Sequence, residues 1–229
     1  MPDATNGSGL REHVLLFSRF LRSPRTVGAL SPSSRALARA IAGELDEGEG
    51  RRVIELGPGT GALTMEIIQR LRPHDRFLAV DIDPEFVRQL EHRWPAIEFV
   101  CGSAARLHEI AGERGMPAAD HIISGLPFAT LPVEMTREIL ASVGRTLRPG
   151  GKFTTFQYTH AYPLATSAAF RREMTALMGV RPSRHLVIRN LPPCFVITWR
   201  RVMSFQHERA AASEPAERSG ASGAPRATP

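Results

Sequence analysis

Residues 53–84, VIELGPGTGALTMEIIQRLRPHDRFLAVDIDP, form the most informative stretch of this 229-residue chain. An apolar run at 53–56, typical of a buried strand, leads directly into the glycine turn at 57–61. A helical pattern follows, and a second strand-like run at 77–80 ends at Asp81. This order predicts a backbone cradle beside a carboxylate that can bind two ribose hydroxyls. The order is a strand, a glycine turn, a helix, a second strand and an acid.

The spacing of the glycines indicates which kind of ligand the cradle holds. Gly57, Gly59 and Gly61 follow a G-x-G-x-G pattern, and Glu55 lies two residues before the first of them. Dinucleotide-binding sites instead use G-x-G-x-x-G. The pattern resembles that of the class I S-adenosylmethionine-dependent methyltransferases. This resemblance implies a Rossmann-like α/β fold, S-adenosylmethionine as cofactor and S-adenosylhomocysteine as product.

Strand-like and helical patterns alternate along most of the chain. We predict helices at 35–45, 84–93, 104–113, 133–147 and 163–178, and further strands at 97–101, 121–123, 153–158, 180–188 and 195–202. The short connection between the last two strands permits an antiparallel pair. Alternating βα units before a terminal hairpin predict a seven-stranded, mainly parallel sheet with an antiparallel last strand and helices on both faces.

Composition predicts one catalytic domain with short flanking segments. We expect a disordered leader at 1–9, amphipathic and lid helices at 10–45, a methyltransferase core at 46–207 and a disordered tail at 208–229. The formal net charge of +6 favours anionic partners. Neither a signal peptide nor an apolar run of roughly twenty residues, the length that spans a bilayer, is visible.

The cysteines give no sign of a disulfide framework or a metal site. Cys101 and Cys194 lie far apart, each inside an apolar run. Such spacing suits neither a disulfide-stapled scaffold nor a zinc site, so we expect no metal and a reducing, cytoplasmic compartment.

The loops that follow the first four predicted strands are expected to form the cofactor pocket, because ligands bind at the carboxyl ends of parallel strands. Asp81 is expected to accept hydrogen bonds from the ribose hydroxyls, since Asp83 is the better cap for the next helix. The resemblance places Glu55 near the amino acid end of the cofactor. The remaining predicted cofactor residues are Gly57, Gly59, Gly61, Ile82 against the adenine, Ser103 or Ala104 near its amino edge, and Ser124.

The predicted acceptor loop is Gly125-Leu126-Pro127-Phe128. This loop and ELGPGTGALT at 55–64 resemble the ribosomal RNA adenine dimethyltransferases, which carry Asn-Leu-Pro-Phe or a close relative at the loop. In those enzymes the amide side chain helps to hold the target amine, and Gly125 cannot supply it. This departure weakens the RNA interpretation, although loop carbonyls could still accept a hydrogen bond from the amine.

A second resemblance covers more of the chain, from about Phe17 to Trp199. FLRSPRTVGALSPSS at 20–34, together with ELGPGTG and SGLPF, resembles bacterial phospholipid N-methyltransferases. These enzymes convert phosphatidylethanolamine to its mono-, di- and trimethylated forms. The resemblance implies a peripheral enzyme on the cytoplasmic face of the membrane.

The segment at 10–25 agrees with a membrane location. It combines an apolar stripe with arginines at the margins of the stripe, so it can lie in the headgroup layer of an anionic membrane. The alternative is a helix that packs its stripe on the protein core. The predicted membrane-binding residues are Leu10, Val14, Phe17, Arg19, Phe20 and Arg22.

Tyr158 and His160 follow the fifth predicted strand and are our candidates for headgroup contact or proton removal. The rings of Tyr158, Tyr162 and Phe128 are candidates for contact with a methylammonium group. Arg137 is a candidate for binding an anionic headgroup. The sequence therefore predicts a phosphatidylethanolamine N-methyltransferase. The alternatives are an RNA adenine N6-dimethyltransferase and a non-catalytic, membrane-docked protein that binds the cofactor.

Overall fold

The computed structural model describes residues 32–203, in which helices and strands alternate. The strands are β1 Arg52–Leu56, β2 Arg76–Asp81, β3 Glu98–Cys101, β4 Ala119–Ser124, β5 Leu147–Tyr158, β6 Ser183–Val187 and β7 Cys194–Arg200. The helices are α1 Pro32–Ala42, α2 Ala62–Ile68, α3 Pro84–Arg93, α4 Leu107–Glu113, α5 Val133–Thr146 and α6 Ala165–Met178. A 3₁₀ turn, Ala104–Arg106, precedes α4.

The strands form one seven-stranded sheet in the order β3-β2-β1-β4-β5-β7-β6. All neighbouring pairs are parallel except those of β7, which is antiparallel to both β5 and β6. The predicted seven-stranded sheet with an antiparallel last strand is therefore confirmed. β1 pairs with β2 on one side and β4 on the other, so the strand order reverses at β1. Ligands bind at such a point, outside the carboxyl ends of the strands; we call this side of the sheet the carboxyl edge.

Apolar side chains alternate between the two faces of the sheet. On one face of the sheet, Ile54 and Leu78 pack against residues of α4, α5 and α6. On the other face, Val53 and Phe77 pack against residues of α1, α2 and α3. Both faces are thus covered by helices, as is typical of parallel sheets. Burial of both faces holds the strand ends in fixed positions at the carboxyl edge.

The main difference from the predicted elements is the start of β5. Pro149-Gly150-Gly151 suggested a break before a strand at 153, but β5 already begins at Leu147. Gly150 N donates to Arg201 O, and Arg201 N donates to Gly151 O. These bonds to a segment some 50 residues away extend the strand through a sequence that locally favours a turn.

Several predictions concern residues outside the described part of the chain. These are the leader at 1–9, the membrane-binding residues between Leu10 and Arg22, and the tail at 208–229. Within residues 32–203, no helix is long and apolar enough to cross a membrane.

Candidate active site

The glycine turn after β1 has the backbone conformation that the sequence predicts. Gly57, Gly59 and Gly61 have φ values of 71°, 54° and 81°, in the left-handed region that favours glycine. A Cβ atom at Gly61 would lie 2.7 Å from side-chain atoms of both Leu90 and Trp94. A Cβ atom at Gly57 would likewise lie 2.8 Å from the side chain of Leu126. Both positions therefore require glycine, for the backbone conformation and for the lack of space.

Asp81 ends β2 beside this turn. Its Oδ2 accepts a hydrogen bond from Gly59 N at 2.9 Å, and its Oδ1 accepts one from Asp83 N at 2.9 Å. Burial raises the pKa of Asp81, and the charge of Asp83 acts in the same direction. Asp83 itself caps α3 by accepting from Glu85 N at 2.8 Å, which confirms the predicted cap. Asp81 is thus held at the glycine turn, with no part in capping.

Glu55 lies beneath the turn and is fully buried. Its Oε2 accepts a hydrogen bond from Thr64 Oγ1 at 2.7 Å, whereas its Oε1 has no partner. Burial raises the pKa of Glu55 to about 8, and the charge of Asp81 adds to this effect. A buried polar atom without a partner is rare in native proteins. The free oxygen fits a cofactor that carries a polar group, such as an amine, into the cradle.

The loops after β2 and β3 adjoin the turn. Gly57 N donates to Val80 O at 2.9 Å, and Gly102 N donates to Asp81 O at 2.8 Å. Ser103 accepts from Ala105 N at 3.2 Å and so fixes the 3₁₀ turn that begins at Ala104. The side chain of Ile82 is partly exposed beside these groups. These predicted cofactor residues therefore follow neighbouring strands at one edge, as expected.

The loop after β4 packs directly on the glycine turn. Gly125 N donates to Leu56 O at 2.8 Å, and a Cβ atom at Gly125 would lie 2.8 Å from Gly57 O. Ser124 is fully buried; its Oγ accepts from Leu126 N at 3.2 Å. The sequence suggested only a missing amide at 125, whereas the structure gives a packing reason for the glycine.

Two aromatic rings predicted to face a methylammonium are occupied by other contacts. Phe128 stacks on Phe170 at a centroid distance of 4.1 Å and is only 3% exposed. The guanidinium carbon of Arg171 lies 3.7 Å from the ring centroid of Tyr162, and Phe195 packs beside the same ring. The prediction that these two rings offer open faces is therefore wrong, because both are used in packing.

The remaining acceptor-side candidates have different surroundings. Leu126 and Pro127 are partly exposed in the loop after β4. Arg137, the candidate headgroup binder, forms an exposed ion pair with Glu173. Tyr158 ends β5 and stacks on His160, with a centroid distance of 5.6 Å and an interplanar angle of 14°. Burial raises the pKa of Tyr158 above its ordinary value, while His160 is exposed.

Sequence reasoning missed two residues of the site. Thr64, the hydrogen-bond partner of Glu55, lies in the first turn of α2 directly after the glycines, which is the signal that could have identified it. Trp94 packs against Gly61, and Arg93 lies over its ring at 4.3 Å. No local pattern indicates the contact between Trp94 and Gly61, because it depends on how α3 packs.

Comparison with known proteins agrees with this geometry. A methyltransferase domain model matches residues 53–151. The ornithine lipid N-methyltransferase of Singulisphaera acidiphila is 30% identical over 187 residues, which are 80% of this chain and 93% of that enzyme. The chain belongs to the class I S-adenosylmethionine-dependent methyltransferases. No cluster of three or more metal-binding side chains occurs among the described residues of the methyltransferase.

Solved structures of methyltransferases share the fold. The Burkholderia thailandensis 1,6-didemethyltoxoflavin N1-methyltransferase, with bound S-adenosylhomocysteine, has a TM-score of 0.60 at 21% identity and covers 88% of this chain and 92% of its own. Aeropyrum pernix fibrillarin with bound S-adenosylmethionine has a TM-score of 0.56 at 17% identity, covering 73% and 76%. Because the chain belongs to the class I S-adenosylmethionine-dependent methyltransferases, its cofactor is S-adenosylmethionine.

Ribosomal RNA enzymes resemble a smaller part of the methyltransferase. The ribosomal RNA small subunit methyltransferase A of Phenylobacterium zucineum is 34% identical over 95 residues. This stretch is 40% of the chain and 32% of the RNA enzyme.

Replacing Glu55 by glutamine should remove a pH-dependent loss of stability. The pKa of Glu55 is raised from 4.5 to about 8, so within this window the folded state keeps a proton that the unfolded state has released. The free energy of unfolding therefore decreases with rising pH, by up to about 1.4 kcal/mol per pH unit. We expect Glu55→Gln to melt several degrees above the unsubstituted protein at about pH 8 and close to it at about pH 5.

Thermal unfolding across this pH range checks the prediction. Glu134→Gln, which changes an exposed glutamate of α5, is the matched control and should follow the unsubstituted protein at every pH. If the melting temperatures of Glu55→Gln and the unsubstituted protein changed with pH in parallel, Glu55 would be charged in the folded state.

Proposed function

We propose that the methyltransferase methylates the amine of a membrane lipid, with phosphatidylethanolamine and its mono- and dimethyl products as acceptors. The observation that carries the proposal is the extent of similarity to a lipid N-methyltransferase, which covers 80% of the chain, against 40% for the RNA enzyme from Phenylobacterium zucineum. The close contact between Gly125 and Gly57 also argues against an adenine acceptor held by an amide at 125. The head amine of an ornithine lipid is the second candidate acceptor, because the relative is named for it.

The chemistry requires a neutral amine, since an ammonium has no lone pair. Bound S-adenosylmethionine supplies a methyl group on a positively charged sulfur. Transfer of this methyl group to the amine nitrogen would break the carbon–sulfur bond, with its electron pair kept by sulfur, and would leave S-adenosylhomocysteine. Positioning of the amine in line with this bond supplies much of the rate.

The proposed acceptor-side residues fit this chemistry in different ways. Tyr158 is neutral near pH 7, as any tyrosine is, and burial raises its pKa further. Its phenol oxygen can therefore accept a hydrogen bond from the amine without being a strong base. His160 is exposed beside it and is the better candidate for receiving the amine proton and passing it to solvent.

We also propose a peripheral location on the cytoplasmic face of the membrane. The predicted membrane segment at 10–25 precedes α1. At its other end α1 leads to Glu44, whose carbonyl accepts from Lys152 Nζ, in the part of β5 that pairs with the amino half of β4. The first residues of α1 therefore lie towards the carboxyl edge, on the side of the cofactor loops. A membrane segment that enters α1 at this end would bring the bilayer close to the acceptor loop.

Methyl transfer from labelled S-adenosylmethionine tests the proposal. The purified full chain is offered liposomes containing phosphatidylethanolamine, liposomes containing ornithine lipid, or ribosomal RNA. We expect label in the phosphatidylethanolamine, and a lower turnover in Tyr158→Phe and His160→Gln that bind the cofactor normally. Label in ornithine lipid alone would select the second acceptor. Label in RNA alone would overturn the proposal, and label in none of them would favour a binding-only protein.

A further inference from the structure

The loop between β6 and β7, residues 188–193, displays apolar side chains to solvent at the carboxyl edge. Ile188 is 70% exposed and Leu191 is 79% exposed, the highest values for large apolar side chains in the described part of the chain. The loop is held in place from below. Asn190 is buried and donates through Nδ2 to Pro192 O at 2.7 Å. The two apolar side chains therefore project from an anchored loop.

The same loop is bonded to the end of β5 that carries the predicted catalytic residues. Pro193 O accepts from Thr159 N at 2.9 Å and from Thr159 Oγ1 at 3.1 Å. Thr159 lies between Tyr158 and His160. Whatever binds the loop is therefore held beside the acceptor side of the active site.

An arginine-lined groove of about 530 Å³ separates this loop from α1. It is lined by Arg35, Ala36, Arg39, Ile188, Arg189 and Leu191. Arg39 contacts Glu66 at 3.2 Å, yet its side chain remains 62% exposed. Arg35 and Arg189 are exposed as well. The groove thus combines positive charge with the apolar side chains of the loop.

This combination matches the interface of an anionic bilayer. Apolar side chains gain from entering the boundary between headgroups and acyl chains, and arginines near it gain from the negative surface potential. The chain's own segment at 10–25 is a poor occupant, because it carries four arginines and a single acid, Glu12, and would be repelled by the groove. The same charges would let segment and groove face one anionic surface together.

We propose that Ile188, Leu191, Arg35, Arg39 and Arg189 form a bilayer-docking surface, in which the loop enters the lipid and the arginines contact anionic headgroups. The choice of a bilayer as occupant rests on the proposed lipid-methylating function. Docking through this surface turns the carboxyl edge, and with it the cofactor loops, towards the membrane. A lipid amine then reaches the acceptor loop without leaving the bilayer.

Flotation of the full chain with vesicles of phosphatidylcholine and phosphatidylglycerol, which contain no methyl acceptor, tests this surface. We expect Ile188→Ser/Leu191→Ser to bind at least about tenfold more weakly than the unsubstituted protein. Arg35→Gln/Arg189→Gln should lose roughly 25-fold at low salt, from about 1 kcal/mol per charge, and the loss should shrink as salt is added. Unchanged binding by both variants would overturn the proposal.

Matched controls make equivalent substitutions at the opposite ends of the strands, away from the carboxyl edge. Met203, which follows β7, is 65% exposed, so Met203→Ser controls for the loss of apolar surface. Arg145→Gln/Arg181→Gln removes two exposed charges at the end of α5 and before β6. Both controls should bind vesicles like the unsubstituted protein. Losses as large in the controls as in the docking variants would show that only overall composition matters.

A gain of signal complements these losses. Emission of Leu191→Trp should shift to the blue and be quenched by brominated lipid when anionic vesicles are added, whereas Met203→Trp should not respond. Because these vesicles contain no acceptor, they measure docking apart from catalysis. Docking on them, together with no methyl transfer to liposomes of phosphatidylethanolamine or ornithine lipid, would leave this surface standing and refute the proposed function. A different result would refute the docking surface instead: the unsubstituted protein binds RNA, Arg35→Gln/Arg189→Gln does not, and both bind vesicles equally well.

Discussion

Asp81→Asn should weaken binding of S-adenosylmethionine and S-adenosylhomocysteine on the order of 100-fold while the protein remains folded. The carboxylate ends β2 with one oxygen on Gly59 N and the other on Asp83 N, so its position is fixed by two backbone bonds. From there it is expected to accept hydrogen bonds from both ribose hydroxyls. Asparagine keeps the size of the side chain but replaces one charged acceptor by a donor, so both charge-assisted bonds are weakened or lost.

Calorimetric titration with S-adenosylhomocysteine measures the change directly. Trp94 provides a second measurement, because it packs on Gly61 and its fluorescence should respond when the cradle is occupied, whereas Trp199 is fully buried elsewhere. Asp83→Asn is the matched control, since asparagine is as good a helix cap as aspartate. Cofactor affinity within threefold of normal in Asp81→Asn would show that this carboxylate does not bind the ribose.

The parts of the site that depend on neighbouring residues could be predicted from the sequence. The conformation of the turn at 57–61 follows from its glycines, and the position of Asp81 follows from the apolar run that it ends. The cap formed by Asp83 is equally local. In each case the physical cause lies within a few residues of its effect, so one segment contains all the information that is needed.

The parts that could not be predicted depend on contacts between distant segments. Phe128 belongs to the core because α6 brings Phe170 onto its ring, 42 residues along the chain. Tyr162 is covered by Arg171 from α6 and by Phe195 from β7. Their sequence neighbourhoods are compatible with exposed aromatic rings. Only the packing of helices and strands decides whether the face of a ring is open.

Gly125→Ala should lower methyl transfer at least tenfold and destabilise the fold by about 1–3 kcal/mol, because the loop after β4 has no room for a side chain. The added Cβ would lie 2.8 Å from Gly57 O, a backbone atom of the cofactor turn. The loop and the turn would have to separate, which disturbs the cofactor and acceptor sites together. Gly112→Ala is the matched control, since a Cβ there meets nothing within 4 Å and alanine favours the helix.

Gly125→Asn extends this test to the choice of acceptor. It restores the amide that the adenine enzymes carry at this position, but it also introduces the Cβ that collides with Gly57 O. If packing is the reason for the glycine, the asparagine variant should be as impaired as Gly125→Ala on lipid and should not methylate RNA. A variant that binds the cofactor normally and labels ribosomal RNA would show that the loop accommodates the amide. The glycine would then determine the acceptor by the group it lacks, and the contact with Gly57 would be incidental.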